Sequence, residues 1–230
     1  MKQTSERLMP AFFILGLLVL WEGAVRIFGI PLYVLPSPVQ VAETLVQELP
    51  VLALHARVTV AEALAGVAIS LVLALALGVL MDCFPMIRQG LYPVLVVTQT
   101  VPMIVLAPIF IIYMGFGAAP KILTVVLMCF FPVAVSFSDG LSQVDAEYVH
   151  LVRSYGAGQW KTYCLVKIPA AVPALLSGLK VAATYSISGA VVGEWIGSQE
   201  GLGYYLLRVK NGYMLDKVFA CVAVIIFLSL

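Results

Sequence analysis

The chain has little charge. Only 11% of its 230 residues are Asp, Glu, Lys or Arg, and the formal net charge is +1. A soluble domain carries about 25% charged and about 45–50% apolar residues, whereas this chain is 62% hydrophobic. A water-soluble globule is therefore excluded, and the near-zero net charge gives no electrostatic basis for binding nucleic acid. Composition and length predict one membrane domain, residues 1–230, lying in the lipid bilayer.

Motifs of enzymes and of metal proteins are also missing. The four cysteines are scattered without a CxxC or CxxxC pair, so neither a zinc site nor a disulfide framework is indicated, and the cysteines are predicted to be small apolar packing residues. There is no GxxxxGK[S/T] phosphate-binding loop. We therefore predict that the chain is not an enzyme, binds no metal or cofactor itself and does not hydrolyse ATP.

Apolar runs of about 20 residues, the length that crosses a bilayer core, recur along the chain. A short amphipathic helix near 38–49, opened by Ser37 and Pro38, is expected to lie at the membrane interface. The last apolar run, 218–230, is short, and we expect that it is a final helix cut before its end. The predicted fold is an all-α polytopic membrane protein of about six transmembrane helices, whose five full spans are 9–29, 58–81, 91–114, 121–137 and 169–196.

A polar segment, residues 138–168, separates the fourth and fifth predicted spans. Asp145 is a favourable N-cap for a short helix, and Gly156 is suited to end it with a positive φ. An i, i+3, i+4, i+7 pattern gives this helix one apolar face, formed by Tyr148, Leu151, Val152 and Tyr155. Such a face needs either a groove on a partner protein or a lipid surface to lie on.

The same segment resembles the cytoplasmic coupling loop of bacterial ABC-importer permeases. In that family, a Glu-Ala-Ala triplet is followed after three residues by a glycine and after nine more by Ile-x-Leu-Pro. Here nine residues separate Gly156 from Val166-Lys167-Ile168-Pro169, and His150-Leu151-Val152 occupies the triplet. The resemblance implies that the segment docks an ATPase, through Asp145, Tyr148, His150, Leu151, Val152, Tyr155, Gly156, Trp160, Ile168 and Pro169.

Further motifs resemble permeases of the nitrate, sulfonate and taurine type. They are Trp21-Glu22, Leu35-Pro36-Ser37-Pro38, Pro102 with Leu106-Ala107-Pro108, Gly193-Glu194-Trp195-Ile196-Gly197 and Gly201-Leu202-Gly203-Tyr204. Within this group, the runs 178–186 and 189–195 look most like permeases assigned to thiamine pyrimidine precursors.

The resemblance implies a type I permease fold and a role as the transmembrane subunit of an ATP-driven importer. It implies a location in the bacterial inner membrane with the N-terminus in the cytoplasm. The implied partners are a pair of ABC ATPase subunits that bind ATP, an extracytoplasmic solute-binding protein and a second permease copy, most simply in a homodimer. The expected solute is a hydroxymethylpyrimidine-like precursor, with sulfonate, taurine or nitrate as the other choices.

Polar residues within the predicted spans are candidates for a translocation path, because they are costly in hydrocarbon and usually face a cavity or a partner. The alternatives are hydrogen bonding between helices for the neutral residues, and an ion pair or a snorkelling side chain for the lysine. The candidates are Thr98, Gln99 and Thr100 in the third span and Lys180, Tyr185 and Ser188 in the fifth.

Two carboxylates are predicted near the outer ends of their spans. Glu62 and Glu194 are expected to pair with a basic residue such as Arg57 or to form an outer gate. Gly201 and Gly203, in the turn that follows Glu194, are expected on the side where the solute-binding protein docks.

Two other classes of protein are less consistent with the sequence. An ion-driven secondary transporter needs a coupling carboxylate at mid-membrane, and no predicted span has one near its middle. A non-transporting membrane assembly subunit has no need of a polar path such as residues 98–100.

Overall fold

The computed structural model describes the backbone of residues 2–230 and, except at residues 1–8, 10 and 11, their side chains. The regular elements in that range are all helical, which confirms the predicted all-α class. They are α1 (Lys2–Ile27), α2 (Pro38–Cys83), α3 (Pro85–Thr98), α4 (Met103–Met114), α5 (Ala118–Ser142), α6 (Ala146–Ser154), α7 (Gln159–Thr162), a π-helical turn (Tyr163–Lys167), α8 (Ile168–Glu194), α9 (Leu202–Asn211) and α10 (Leu215–Ser229).

Helix α2 contains 46 residues and begins with a capping box, in which Ser37 and Gln40 each bond the other's backbone N–H. It includes both the predicted interfacial helix at 38–49 and the predicted second span. The prediction of a separate amphipathic helix is therefore wrong. Two contacts with α10 hold the first turns of α2 against the bundle. Glu48 pairs with Lys217 at 2.6 Å, and Thr44 donates a hydrogen bond to Asp216 at 3.1 Å.

The predicted third span is two helices, because α3 and α4 meet at an angle of 102°. Pro102 lacks an N–H and disfavours a helical residue before it, so the helix stops at this point. The pair still runs the length of the bundle. Arg88 in α3 bonds Asp139 near the end of α5, whereas Phe116, after α4, packs against Gly197, after α8.

Two ends of the bundle can now be defined. The loop end carries α6 and α7, and the far end carries Thr59, Lys121 and Glu194. Three helical runs in the described residues are long and apolar enough to cross a membrane, and the bent α3–α4 pair can supply a fourth. The predicted number of about six spans stays a prediction. The three runs are Pro38–Cys83, Ala118–Ser142 and Gln159–Glu194.

Helix α5 lies between α2 and α8 at very short range. A Cβ atom on Gly78 in α2 would lie 2.5 Å from the ring of Phe137, and one on Gly178 in α8 would lie 2.6 Å from the carbonyl oxygen of Pro132. Without a hydrophobic drive between helices in lipid, this close backbone approach is what holds membrane helices together. Ser70 adds a hydrogen bond across the same interface, donating to the Val126 carbonyl at 3.0 Å.

The cysteines follow the predicted role in part. Cys129 and Cys221 are buried in the packed interior, where small apolar side chains fit. Cys83 is half-buried and Cys164 is exposed, so these two do not act as core packing residues.

Replacement of Gly178 by alanine tests the close packing. We expect Gly178→Ala to destabilise the folded protein by about 1–3 kcal/mol, because the new methyl group would lie 2.6 Å from the Pro132 carbonyl oxygen and 2.7 Å from Ser136 Cβ, neither of which can move aside without a shift of the α5 backbone. The measurement is the thermal unfolding midpoint in mild detergent, followed by size-exclusion chromatography. Gly90→Ala in α3 is the matched control, since nothing lies within 4 Å of its Cβ position. Equal midpoints for the two variants are the contrary result.

Candidate functional site

The polar segment between α5 and α8 forms the predicted short helix, α6. Asp145 caps it, with the carboxylate accepting from the Glu147 N–H at 2.9 Å. Gly156 has φ of +83°, and it ends the helix by donating to the Arg153 carbonyl at 2.9 Å while Ala157 donates to the Val152 carbonyl at 3.2 Å. This pair of hydrogen bonds is the Schellman motif, which favours glycine at the left-handed position. The local structure therefore follows from the spacing of Asp145 and Gly156.

The apolar face of α6 and α7 is open to the surroundings. The exposed fractions are 62% for Tyr148, 53% for Leu151, 85% for Tyr155 and 73% for Trp160. No other part of the described chain covers these large side chains. Val152 differs from the prediction, because it is half-buried and turns partly toward the protein. The remaining predicted residues of the loop lie as follows: His150 and Pro169 are exposed and Ile168 is half-buried in the first turn of α8.

The loop joins α8 through the π-helical turn Tyr163–Lys167, and α2 holds this turn. Lys167 Nζ lies 2.5 Å from Asp82 Oδ2, and the Tyr163 hydroxyl donates to the same carboxylate. The Asp82 side chain is 8% exposed. We call these three residues the Asp82 cluster. The sequence analysis missed Asp82, although it is the first charged residue after the long apolar run that follows Glu62.

Two of the predicted path residues come together beside the break between α3 and α4. Gln99 and Tyr185 line a cavity of about 210 Å³, whose other walls are apolar or sulfur-bearing. Thr98 and Thr100 donate to carbonyl groups of their own turns, at 2.8 Å each. The remaining lining residues are Val101, Met103, Leu127, Met128, Phe131 and Pro132.

The other two path candidates in α8 lie elsewhere. Lys180 and Ser188 are exposed and do not line the cavity of Gln99 and Tyr185. In the described residues Lys180 has no carboxylate within ion-pair distance. Of the two alternatives given for this lysine, the buried ion pair is therefore not formed, and the exposed position of Lys180 on α8 is that expected of a snorkelling side chain.

At the far end, Glu194 holds the chain that follows α8. Its carboxylate accepts from Thr59 Oγ1 at 2.7 Å and from the Gly203 N–H at 2.6 Å, and the Leu202 N–H donates to Thr59 Oγ1 at 2.8 Å. Gly201 has φ of +104°, and a Cβ there would overlap the Glu194 carboxylate. These residues, the Glu194 cluster, show that the two predicted glycines are needed for this close approach.

Glu62 lies beside this cluster and pairs with Lys121 of α5. The structure thus contains the expected pairing of Glu62 with a basic residue, but the partner is Lys121 and not the suggested Arg57, because the tight packing of α2 on α5 places Lys121 nearer. Glu62 and Lys121 line a cavity of about 770 Å³ that opens at the far end. Ser198 closes one side of it and accepts a hydrogen bond from Lys121 at 3.3 Å.

Comparison with known proteins places this arrangement in a family. Residues 66–230 match the model of the binding-protein-dependent transport system inner membrane component. The chain is 36% identical, over all of its length and 92% of the relative, to the formylaminopyrimidine transport permease of Halalkalibacterium halodurans.

More distant relatives are named for other solutes. The riboflavin transport system permease of Chloroflexus aurantiacus is 30% identical over 93% of this chain and 81% of its own length. A protein named as a putative aliphatic sulfonates transport permease in Bacillus subtilis is 30% identical over 96% of this chain and 78% of its own length.

These relatives are permease subunits without an ATPase site, which confirms that the chain is not an enzyme; ATP is used by a partner ATPase. Such permeases work with an ATPase and with a substrate-binding protein. The family model covers residues 66–230, and the formylaminopyrimidine permease aligns with the whole chain. The chain therefore belongs to the family of binding-protein-dependent transport system inner membrane components, the membrane-spanning permeases of ABC importers.

Proposed function

We propose that this permease carries an aminopyrimidine precursor of thiamine into the cell as one half of a homodimer. An ATPase pair docks on the coupling loop, defined as the part of the polar segment 138–168 that follows α5, residues 144–168, and a solute-binding protein docks at the far end. The observation that carries the proposal is the uncovered apolar face of α6 and α7 in a chain of this family.

The docking assignment depends on the chemistry of that face. Tyr148, Leu151, Tyr155 and Trp160 are all more than half exposed, and Arg153 and Lys161 lie among them. Large aromatic side chains are typical anchors of protein interfaces, where they fill pockets at low entropic cost. An amphipathic helix of this kind fits into a groove of a partner protein.

Orientation follows from the docking. ATP is available in the cytoplasm, so a loop that binds the ATPase places the loop end on the cytoplasmic side. Helix α2 runs from the far end toward Asp82 at the loop end, so α1 before it runs the other way and the N-terminus is cytoplasmic. Thr59 and Asp82 are 23 residues apart, which at 1.5 Å per residue is about 34 Å, close to the thickness of a bilayer core.

The far end then faces the solute-binding protein. The cavity beside Glu62 and Lys121 opens there and offers a place for the solute to enter. Glu194 is only 1% exposed, so its role at this end is to hold α9 in position and not to contact the binding protein. Gly201 and Gly203 serve the same purpose by allowing the turn to close on the carboxylate.

The cavity at Gln99 supports a neutral solute. A carboxamide offers both a donor and an acceptor, which matches the amino group and adjacent ring nitrogen of an aminopyrimidine. None of the residues that line this cavity is charged. A sulfonate or a nitrate would be desolvated there without a counter-charge, which is costly. Lys180, the nearest cation along α8, does not line the cavity.

The second copy completes the path. Tyr185 is 49% exposed, and Ser177 and Ser188 share its side of α8, one helical turn or two away. Hydroxyl groups on a lipid-facing surface are unfavourable. A two-fold related α8 facing this stripe covers it and encloses a polar route between the two chains.

Replacement of Tyr148 by aspartate tests the coupling loop. We expect Tyr148→Asp to remove the ATPase from affinity-purified transporter and to reduce ATP-driven uptake at least tenfold, because a charge replaces an apolar anchor. Membrane insertion remains as in the wild type. The readouts are co-purified ATPase and uptake in reconstituted vesicles. Tyr213→Asp is the matched control for ATPase capture, since Tyr213 is 79% exposed at the end of the bundle opposite to the coupling loop. Normal ATPase binding by Tyr148→Asp contradicts the assignment.

Replacement of Gln99 by leucine tests the path and the solute. We expect wild-type vesicles with the co-encoded binding protein to accumulate labelled hydroxymethylpyrimidine and not taurine. Gln99→Leu lowers that uptake by about two- to tenfold, since one net hydrogen bond contributes about 0.5–1.5 kcal/mol. ATPase binding is unchanged. Gln89→Leu, at an exposed position of α3, is the control and transports normally. Uptake of taurine in place of the pyrimidine rejects the solute assignment but leaves the importer assignment intact.

A further inference from the structure

We infer that Asp82 is a positioning residue that stiffens the joint between the coupling loop and the transmembrane core. The Asp82 cluster spans the π-helical turn, since its two donors are Tyr163 and Lys167, the first and last residues of that turn. This inference rests on the proposed docking of an ATPase on the loop.

The joint is the one irregular place in an otherwise continuous helical run. Residues Gln159–Glu194 form 36 helical residues, and the π turn interrupts them near the start. A π turn inserts an extra residue into the helical repeat, and such turns are sites where helices bend. Without support, movement of the loop would bend the helix at this turn and would not reach the rest of α8.

Helix α2 supplies that support from a different part of the sequence. Asp82 is 85 residues before Lys167 and accepts from it at 2.5 Å, and Cys83 Sγ lies 3.2 Å from the Tyr163 hydroxyl. The carboxylate is 8% exposed and the lysine 20%, so the pair is shielded from solvent. A shielded, hydrogen-bonded pair is weakened little by salt and water. Asp82 therefore ties both ends of the π turn to α2.

Beyond the joint, the core moves as one body. Helix α2 packs on α5 at Gly78, and α5 packs on α8 at Gly178, at distances that leave no space for sliding. A push on the coupling loop thus reaches α2 through Asp82 and α8 through the chain itself. Both helices then rock together, and the Glu194 cluster carries the motion to α9 at the far end.

Loss of the Asp82 carboxylate should uncouple ATP hydrolysis from transport. In vesicles that contain the complete transporter, we expect Asp82→Asn to retain the ATPase and to hydrolyse ATP within about twofold of the wild type. Uptake per ATP hydrolysed falls at least tenfold, because the loop moves while the π turn bends. Amide hydrogen exchange increases at residues 159–167 and stays slow at residues 178–190. A merely structural role would lower hydrolysis and uptake together and would increase exchange throughout α8.

Asp139→Asn is a closely matched control. Asp139 also lies at the loop end and also accepts from one cation and one tyrosine, Arg88 at 3.2 Å and Tyr92 at 3.3 Å. These partners belong to α3, not to the coupling loop. We expect its uptake per ATP to stay at the wild-type value. An equal loss in Asp139→Asn and Asp82→Asn overturns the inference.

Milder variants keep the test decisive if Asp82→Asn does not assemble. Tyr163→Phe and Lys167→Met each remove one bond and leave the carboxylate in place, and each should lower uptake per ATP by a smaller factor. Wild-type values in both variants overturn the inference. If the proposed function itself is wrong, the result differs from a failure of this inference, because the wild-type chain captures no ATPase and shows no ATP-driven uptake.

Discussion

Close backbone packing of α5 between α2 and α8 is the constraint on which the rest of the structure depends. In lipid, the hydrophobic effect does not draw apolar helices together, so contact depends on how closely their backbones approach. Gly78 and Gly178 permit that approach, and a single methyl group at either would overlap Phe137 or the Pro132 carbonyl. With these three helices locked, the positions of every polar group at the two ends are set.

The polar groups of the core are concentrated at those ends. The Asp82 cluster lies at the loop end and the Glu194 cluster at the far end, and both use side chains of α2. Placing ionisable groups near the water interface avoids much of the cost of charge in hydrocarbon. Between them, the buried positions of α2 that follow Glu62 are mostly small, and Ser70 bonds a carbonyl of α5. Helix α2 is thus one continuous helix with polar attachments at both ends.

This construction suits a protein that must change state without coming apart. In our proposal, a closely packed core with an irregular turn near its attachment to the coupling loop converts a local push into movement of whole helices. Biasing one state requires that ATP and the ATPase bind the two states with different affinity. The uncovered face of α6 and α7 is where that difference is expected to act, and the uncharged cavity at Gln99 is where the solute is expected to pass.

Local sequence determined the features that depend on neighbouring residues. Asp145 and Gly156 specified both ends of α6, and the spacing from Gly156 to Pro169 indicated the family that the comparisons confirmed. The tertiary structure alone decided which helices adjoin. It made α2 continuous through residues 38–49, paired Glu62 with Lys121 and not Arg57, and brought Asp82 to Lys167. The physical reason is that these contacts join residues far apart in the chain, where periodicity and capping carry no information.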